Sequence, residues 1–211
     1  MIKQISISKS FNNKIAFSDY YPNRTDYFSL FIHYYEDTPI VYDALGEVME
    51  LILNFLNENK NINKSQLQSF MNDLNWISAG KLRNLPLDNQ GISLGLVIVR
   101  DDKITALRYG RLLMAKVVNT KIEVVGPEWD NFSVKSLDRL SLLGLRSEDK
   151  YPEVFELELN NNEQFIILDS HAVDHFQQSL KTPTEFAPKN SIFQILECHR
   201  KTSKKKLLRL K

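Results

Sequence analysis

Glu163-Gln164-Phe165-Ile166-Ile167-Leu168-Asp169-Ser170-His171-Ala172-Val173-Asp174-His175-Phe176 reads as an apolar strand, a polar turn and the start of a helix. Phe165 to Leu168 supply the strand, and Asp169-Ser170-His171 the turn. A helix from about Ala172 to Leu180 follows, and Thr182-Pro183-Thr184 breaks it. Beyond the break, Ile192–Leu196 is a last strand. Arg200, Lys201, Lys204, Lys205, Lys206, Arg209 and Lys211 then form a basic tail. A domain over 1–198 and a tail over 199–211 are expected.

Upstream of the quoted stretch the chain is mostly strands. Val154–Leu159 is one. Ile92–Val99, Ile104–Tyr109, Leu112–Val118 and Ile122–Val125 read as a meander of antiparallel hairpins, although Ile104–Val118 also reads as one long strand. Residues 127–150 are an irregular excursion with a short helix around Val134–Leu143. Before the meander the period changes. Leu45, Val48, Met49, Ile52, Phe55 and Leu56 mark one face of a helix from Asp43. Leu67, Phe70, Met71 and Leu74 mark a second helix, with Ser65 as its N-cap. Residues 2–7 and 14–18 are short strands around the turn Asn12-Asn13, and Tyr27–Ile32 is a stronger strand ending in His33-Tyr34-Tyr35-Glu36-Asp37. Helices segregated from antiparallel strands make an α+β layered domain.

Composition excludes several classes. The 211 residues suit one domain that buries about 70% of its unfolded surface. A net charge of +1 creates no global field toward nucleic acid or membrane. The one cysteine, Cys198, excludes an internal disulfide and favours a reducing, cytoplasmic setting. The N-terminus lacks a signal peptide's apolar core, and no run nears the roughly 20 residues of a transmembrane segment.

The order of elements from about Ser18 to Leu196 resembles the metal-dependent type-2C protein phosphatases, a layered sandwich of antiparallel sheets flanked by helices. That family's Asp-Gly-His-Gly-Gly falls on His33-Tyr34-Tyr35-Glu36-Asp37. Its Gly-Ser-Thr-Ala strand resembles Gly91-Ile92-Ser93-Leu94-Gly95, and its Gly-Asp-Ser-Arg hairpin resembles Arg108-Tyr109-Gly110-Arg111. Its Ser-Asp-Gly resembles Ser170-His171-Ala172, and its final Asp-Asn resembles Lys189-Asn190. The resemblance implies two divalent metals on aspartates that lower the pKa of a bridging water and clamp phosphate. Such hard cations need oxygen ligands, chiefly carboxylates.

Here the carboxylates are replaced. The first aspartate falls on His33, or on Ile32 one register away. The second falls on Tyr109 or Arg111, the third on His171 and the last on Lys189, where a cation repels the metal. Glu36, Asp37 and Asp169 stand one or more positions off, and a one-residue slip along a strand points a side chain to the opposite face. The expectation is a non-catalytic, regulatory binding domain without a cofactor. Arg111 and Lys189 border an emptied cleft that suits a phosphorylated or acidic segment of a protein partner.

The alternative is a divergent phosphohydrolase with a relocated zinc or manganese site built from His33, Asp37, Asp169 and His171. His171 and His175 share one helix face at a four-residue spacing. Against it, a closed structural zinc site needs four ligands and no nearby cysteine supplies one, so a surface or capping role is the plainer reading. Met1-Ile2 offers no N-terminal nucleophile. Cys198 and His199, adjacent in a strand, face opposite ways, which leaves Cys198 a packed or edge thiol. The seven glycines are scattered and form no phosphate loop. The tail suits an anionic surface, or simply a solvated terminus.

Overall fold

The structure is a computed structural model that describes residues 2–8, 14–20, 27–34, 38–85, 91–100, 103–110, 112–118, 121–125, 142–145, 151–158, 160, 163–169 and 193–198. In chain order the elements are β1 (Ile2–Ser8), β2 (Lys14–Tyr20), β3 (Tyr27–Tyr34), α1 (Pro39–Glu58), α2 (Lys64–Leu82), β4 (Ile92–Arg100), β5 (Lys103–Tyr109), β6 (Leu112–Val118), β7 (Lys121–Val124), β8 (Glu153–Glu158), β9 (Gln164–Asp169) and β10 (Phe193–Cys198). The expected helices over 134–143 and 172–180 and the basic tail lie outside the described residues, apart from Leu142 and Leu143.

Among the described residues two five-stranded sheets form, ordered β1-β10-β9-β6-β7 and β2-β3-β4-β5-β8. Every pairing is antiparallel. The α+β sandwich expected from the sequence is therefore present. The local pairing differs. β1 and β2 do not form a hairpin, because β1 pairs with β10 and β2 with β3. The meander is also cut in two. β4–β5 is a hairpin of one sheet and β6–β7 a hairpin of the other.

The chain changes sheets between Tyr109 and Leu112, so Ile104–Val118 is two strands. Gly110 makes this possible. Its φ of +73° is the left-handed region, and a β-carbon there would lie 2.5 Å from Leu142 Cδ2 and 2.7 Å from Ser93 Oγ. Gly95 serves the second requirement, close approach of the sheets. A β-carbon on it would lie 3.0 Å from Met114 Cε and 3.2 Å from Leu112 Cδ1 of the opposite sheet.

Strand parity divides the core into two layers. Phe28, Leu30, Ile32, Leu94, Leu96, Leu107 and Tyr109 pack under α1 and α2. Val97, Val99, Ile104 and Ala106 pack against Leu112, Met114, Phe165 and Ile167, which fill the space between the sheets. α1 starts four residues before the expected Asp43. Thr38 Oγ1 accepts from the Val41 N–H at 3.4 Å, and Pro39 occupies the first turn, where its missing N–H costs nothing. α2 is capped by Asn63 rather than Ser65. Asn63 Oδ1 accepts from Gln66 N at 2.8 Å, and Gln66 Oε1 accepts from Asn63 N at 3.1 Å. Phe55 and Phe70 stack at 4.0 Å between centroids and join the two helices. No helix among the described residues is long and apolar enough to cross a membrane.

Candidate functional site

Register places one set of strand ends together. His33 pairs with Ser93 and Lys14 at the end of β3, Leu94 pairs with Tyr109, and Arg108 pairs with Glu153. The crossing at Gly110 carries this end into the other sheet. There Leu112 pairs with Asp169, and Leu168 with Phe193. His33, Tyr109 and Asp169 therefore all stand at this end of the sandwich. Tyr109 is described with its side chain, while His33 and Asp169 are placed as strand positions. Asp37, Arg111, His171 and Lys189 lie outside the described residues.

Tyr109 does not face the space between the sheets. It is 2% exposed, packs under the helices, and its hydroxyl donates to the Met71 carbonyl of α2 at 3.1 Å. Burial, with a smaller contribution from Tyr151, pushes its phenol well above the ordinary value, so it is neutral. Ile32, the other register for the first aspartate, is fully buried in the same helix-side layer.

The β5 residue that faces between the sheets at this end is Arg108, in phase with Ile104 and Ala106. Its side chain is 1% exposed. Nε donates to Glu153 Oε2 at 2.6 Å, Nη2 donates to the same oxygen, and the guanidinium lies over the Phe155 ring at 5.3 Å from its centroid. Glu153 is 34% exposed and stands on the solvent side of the pair. In sequence Arg108 is the first residue of the Arg108-Tyr109-Gly110-Arg111 hairpin motif, with no role of its own. The signal was the i, i+2 phase with Ile104 and Ala106, which puts a cation on a core face.

The roof of this end is pinned to the body. Leu143 and Ile92 exchange backbone hydrogen bonds of 2.8 and 2.9 Å, and the buried Asn75 Oδ1 accepts from the Gly144 N–H at 2.8 Å. The opposite end differs. A cavity of about 410 Å³ there is lined by Arg100, Lys103, Ile104, Thr105, Glu156, Leu157 and Glu158. Its mixed charges select no ligand class. Among the described residues no cluster of three or more His, Cys, Asp or Glu side chains is arranged to hold a metal ion.

No sequence-family model matches the chain, and no curated protein matches it in sequence. Solved structures do match in fold. A serine/threonine phosphatase from S. agalactiae superposes with a TM-score of 0.64 at 9% identity, over 94% of this chain and 99% of that one. A serine/threonine phosphatase from Staphylococcus aureus gives 0.64 at 11% identity, over 95% and 94%. The catalytic domain of the phosphatase PstP, in complex with two manganese ions, gives 0.60 at 11% identity, over 89% and 98%. The chain thus has the phosphatase-2C fold. On β5 the layer between the sheets holds a buried guanidinium, and Tyr109 is a neutral phenol under the helices.

Proposed function

We propose that this chain is a non-catalytic, phosphatase-2C-like binding domain that recognises a phosphorylated or acidic segment of a protein partner at the Gly110 end of its sandwich. One observation carries this reading: the charge buried at that end of β5 is the Arg108 guanidinium, a cation where metal-assisted phosphate hydrolysis needs anionic oxygen ligands. A guanidinium whose Glu153 partner gives way can hold phosphate, and it supplies no oxygen ligand for a metal that would activate water. Arg111 and Lys189 supply further cations next to this end in the sequence. The partner would be held by charge-assisted hydrogen bonds of the kind arginine makes to phosphate and carboxylate.

The competing reading, a divergent phosphohydrolase with zinc or manganese on His33, Asp37, Asp169 and His171, keeps one supporting observation. His33 and Asp169 both stand near the ends of strands at this end. Two measurements separate the readings. Metal analysis of the purified chain and turnover of an aryl phosphate with added manganese or zinc are both expected to be negative. A phosphopeptide panel is expected to show binding that weakens in Arg111→Ala combined with Lys189→Ala. Metal-dependent turnover, or binding unchanged in the double variant, would overturn the proposal.

A further inference from the structure

We infer that Glu153 is an internal stand-in for an external oxyanion, occupying an arginine site that a partner's phosphate or carboxylate takes over by displacing it. The inference rests on the anion-binding reading above and names the residues that gate it. Three features of the pair carry it. First, the guanidinium is prebuilt. Arg108 is 1% exposed and braced over Phe155, so an incoming anion does not have to order a flexible side chain. Second, the carboxylate is the exposed member, at 34%, so Glu153 can swing into water while Arg108 cannot. Third, Nε and Nη2, the two donors that Glu153 engages, are the pair that a phosphate can engage through two oxygens.

Exchange of Glu153 for a ligand oxyanion also avoids the main penalty of a buried arginine. The guanidinium is never left without a counter-charge, because one anion replaces another. The strand position suits the exchange. Glu153 is the first residue of β8, an edge strand, so its movement breaks no interior ladder. Bound anion and displaced carboxylate repel each other, so the displaced form persists only while ligand is present.

Glu153→Gln and Arg108→Met provide the test, because both are expected to lower the melting temperature but to move anion binding in opposite directions. A role confined to stability would move both variants the same way. The probes are inorganic phosphate and a phosphoserine peptide, read by thermal shift and by titration calorimetry on the whole chain. Glu153→Gln removes the competing charge and is expected to bind inorganic phosphate roughly tenfold tighter than the native chain. Arg108→Met is expected to lose that binding. If Arg108→Met does not fold, Arg108→Lys keeps the charge without the fork and is expected to bind more weakly than native.

Equal or weaker phosphate binding in Glu153→Gln, or phosphate binding retained in Arg108→Met, would overturn the inference. Its fate is separable from that of the broader reading. Tighter phosphate binding in Glu153→Gln with no peptide binding in any chain supports the arginine site and removes the phosphopeptide partner.

Discussion

Replacing Gly110 with alanine tests the sheet change on which the site depends. The left-handed backbone at φ +73° costs a residue with a β-carbon about 1–2 kcal/mol. The added carbon also meets Leu142 Cδ2 at 2.5 Å, Ser93 Oγ at 2.7 Å and Ser93 Cα at 3.1 Å. The leucine tip can give, but the Ser93 backbone belongs to β4 and is fixed by its neighbours, so overpacking adds about 1–3 kcal/mol. The sum is about 2–5 kcal/mol. For a chain of this size that is a fall in melting temperature on the order of 10 °C, measurable by calorimetry or circular dichroism. Gly46→Ala is the internal control. It sits in α1, where an added β-carbon would have no neighbour within 4 Å, so alanine should stabilise by about 0.5–1 kcal/mol. If Ile104–Val118 were one continuous strand, Gly110→Ala would stabilise too, since glycine weakens a strand interior. A melting temperature unchanged or raised by Gly110→Ala would therefore refute the left-handed crossing.

Two further predictions concern pH. Tyr109→Phe removes the hydrogen bond to the Met71 carbonyl and should cost about 0.5–1.5 kcal/mol at neutral pH. Because burial raises the phenol's pKa in the folded chain, its stabilising share is complete below the unfolded value near 10 and is lost as pH rises beyond it. Urea midpoints across the alkaline range should decline less steeply in Tyr109→Phe than in the native chain. For Glu163, burial raises the carboxyl's pKa, but Lys116 Nζ at 2.7 Å and two Asn160 donors outweigh it, and the net shift is downward. Its contribution is therefore present above the unfolded value near 4.5 and lost as pH falls through the folded one. Glu163→Gln should flatten that acid limb, and an unaltered acid limb would show that the Lys116 pair contributes nothing.

The element order was legible because period and burial agree along β4, α1 and α2, where local pattern and tertiary packing demand the same residues. Pairing was less legible. β1 finds its partner in β10 at the other end of the chain, and no local turn signal reports such a contact. The start of α1 was readable from Thr38-Pro39, a cap followed by a first-turn proline, but the apolar stripe draws attention to Asp43 instead. The site was legible only in part. Motif order led to Tyr109, while the residue that faces the other sheet is its neighbour Arg108. Its counter-charge, Glu153, lies 45 positions along the chain and meets it only through the β5–β8 register.

That parity also decides what a carboxylate placed at Tyr109 would do. An aspartate at Tyr109 would restore the motif on paper, but strand alternation points this position at α2, against Met71. The new carboxylate would be buried in an apolar layer without a partner charge. It would protonate or destabilise the fold rather than ligate an ion, at a cost of several kcal/mol. On the other face of β5 the layer between the sheets is occupied by the Arg108–Glu153 pair. Tyr109→Asp should therefore melt well below the native chain in the presence or absence of manganese. A manganese-dependent recovery of its melting temperature would mean that the side chain reaches a metal position, and the assignment of faces along β5 would be wrong.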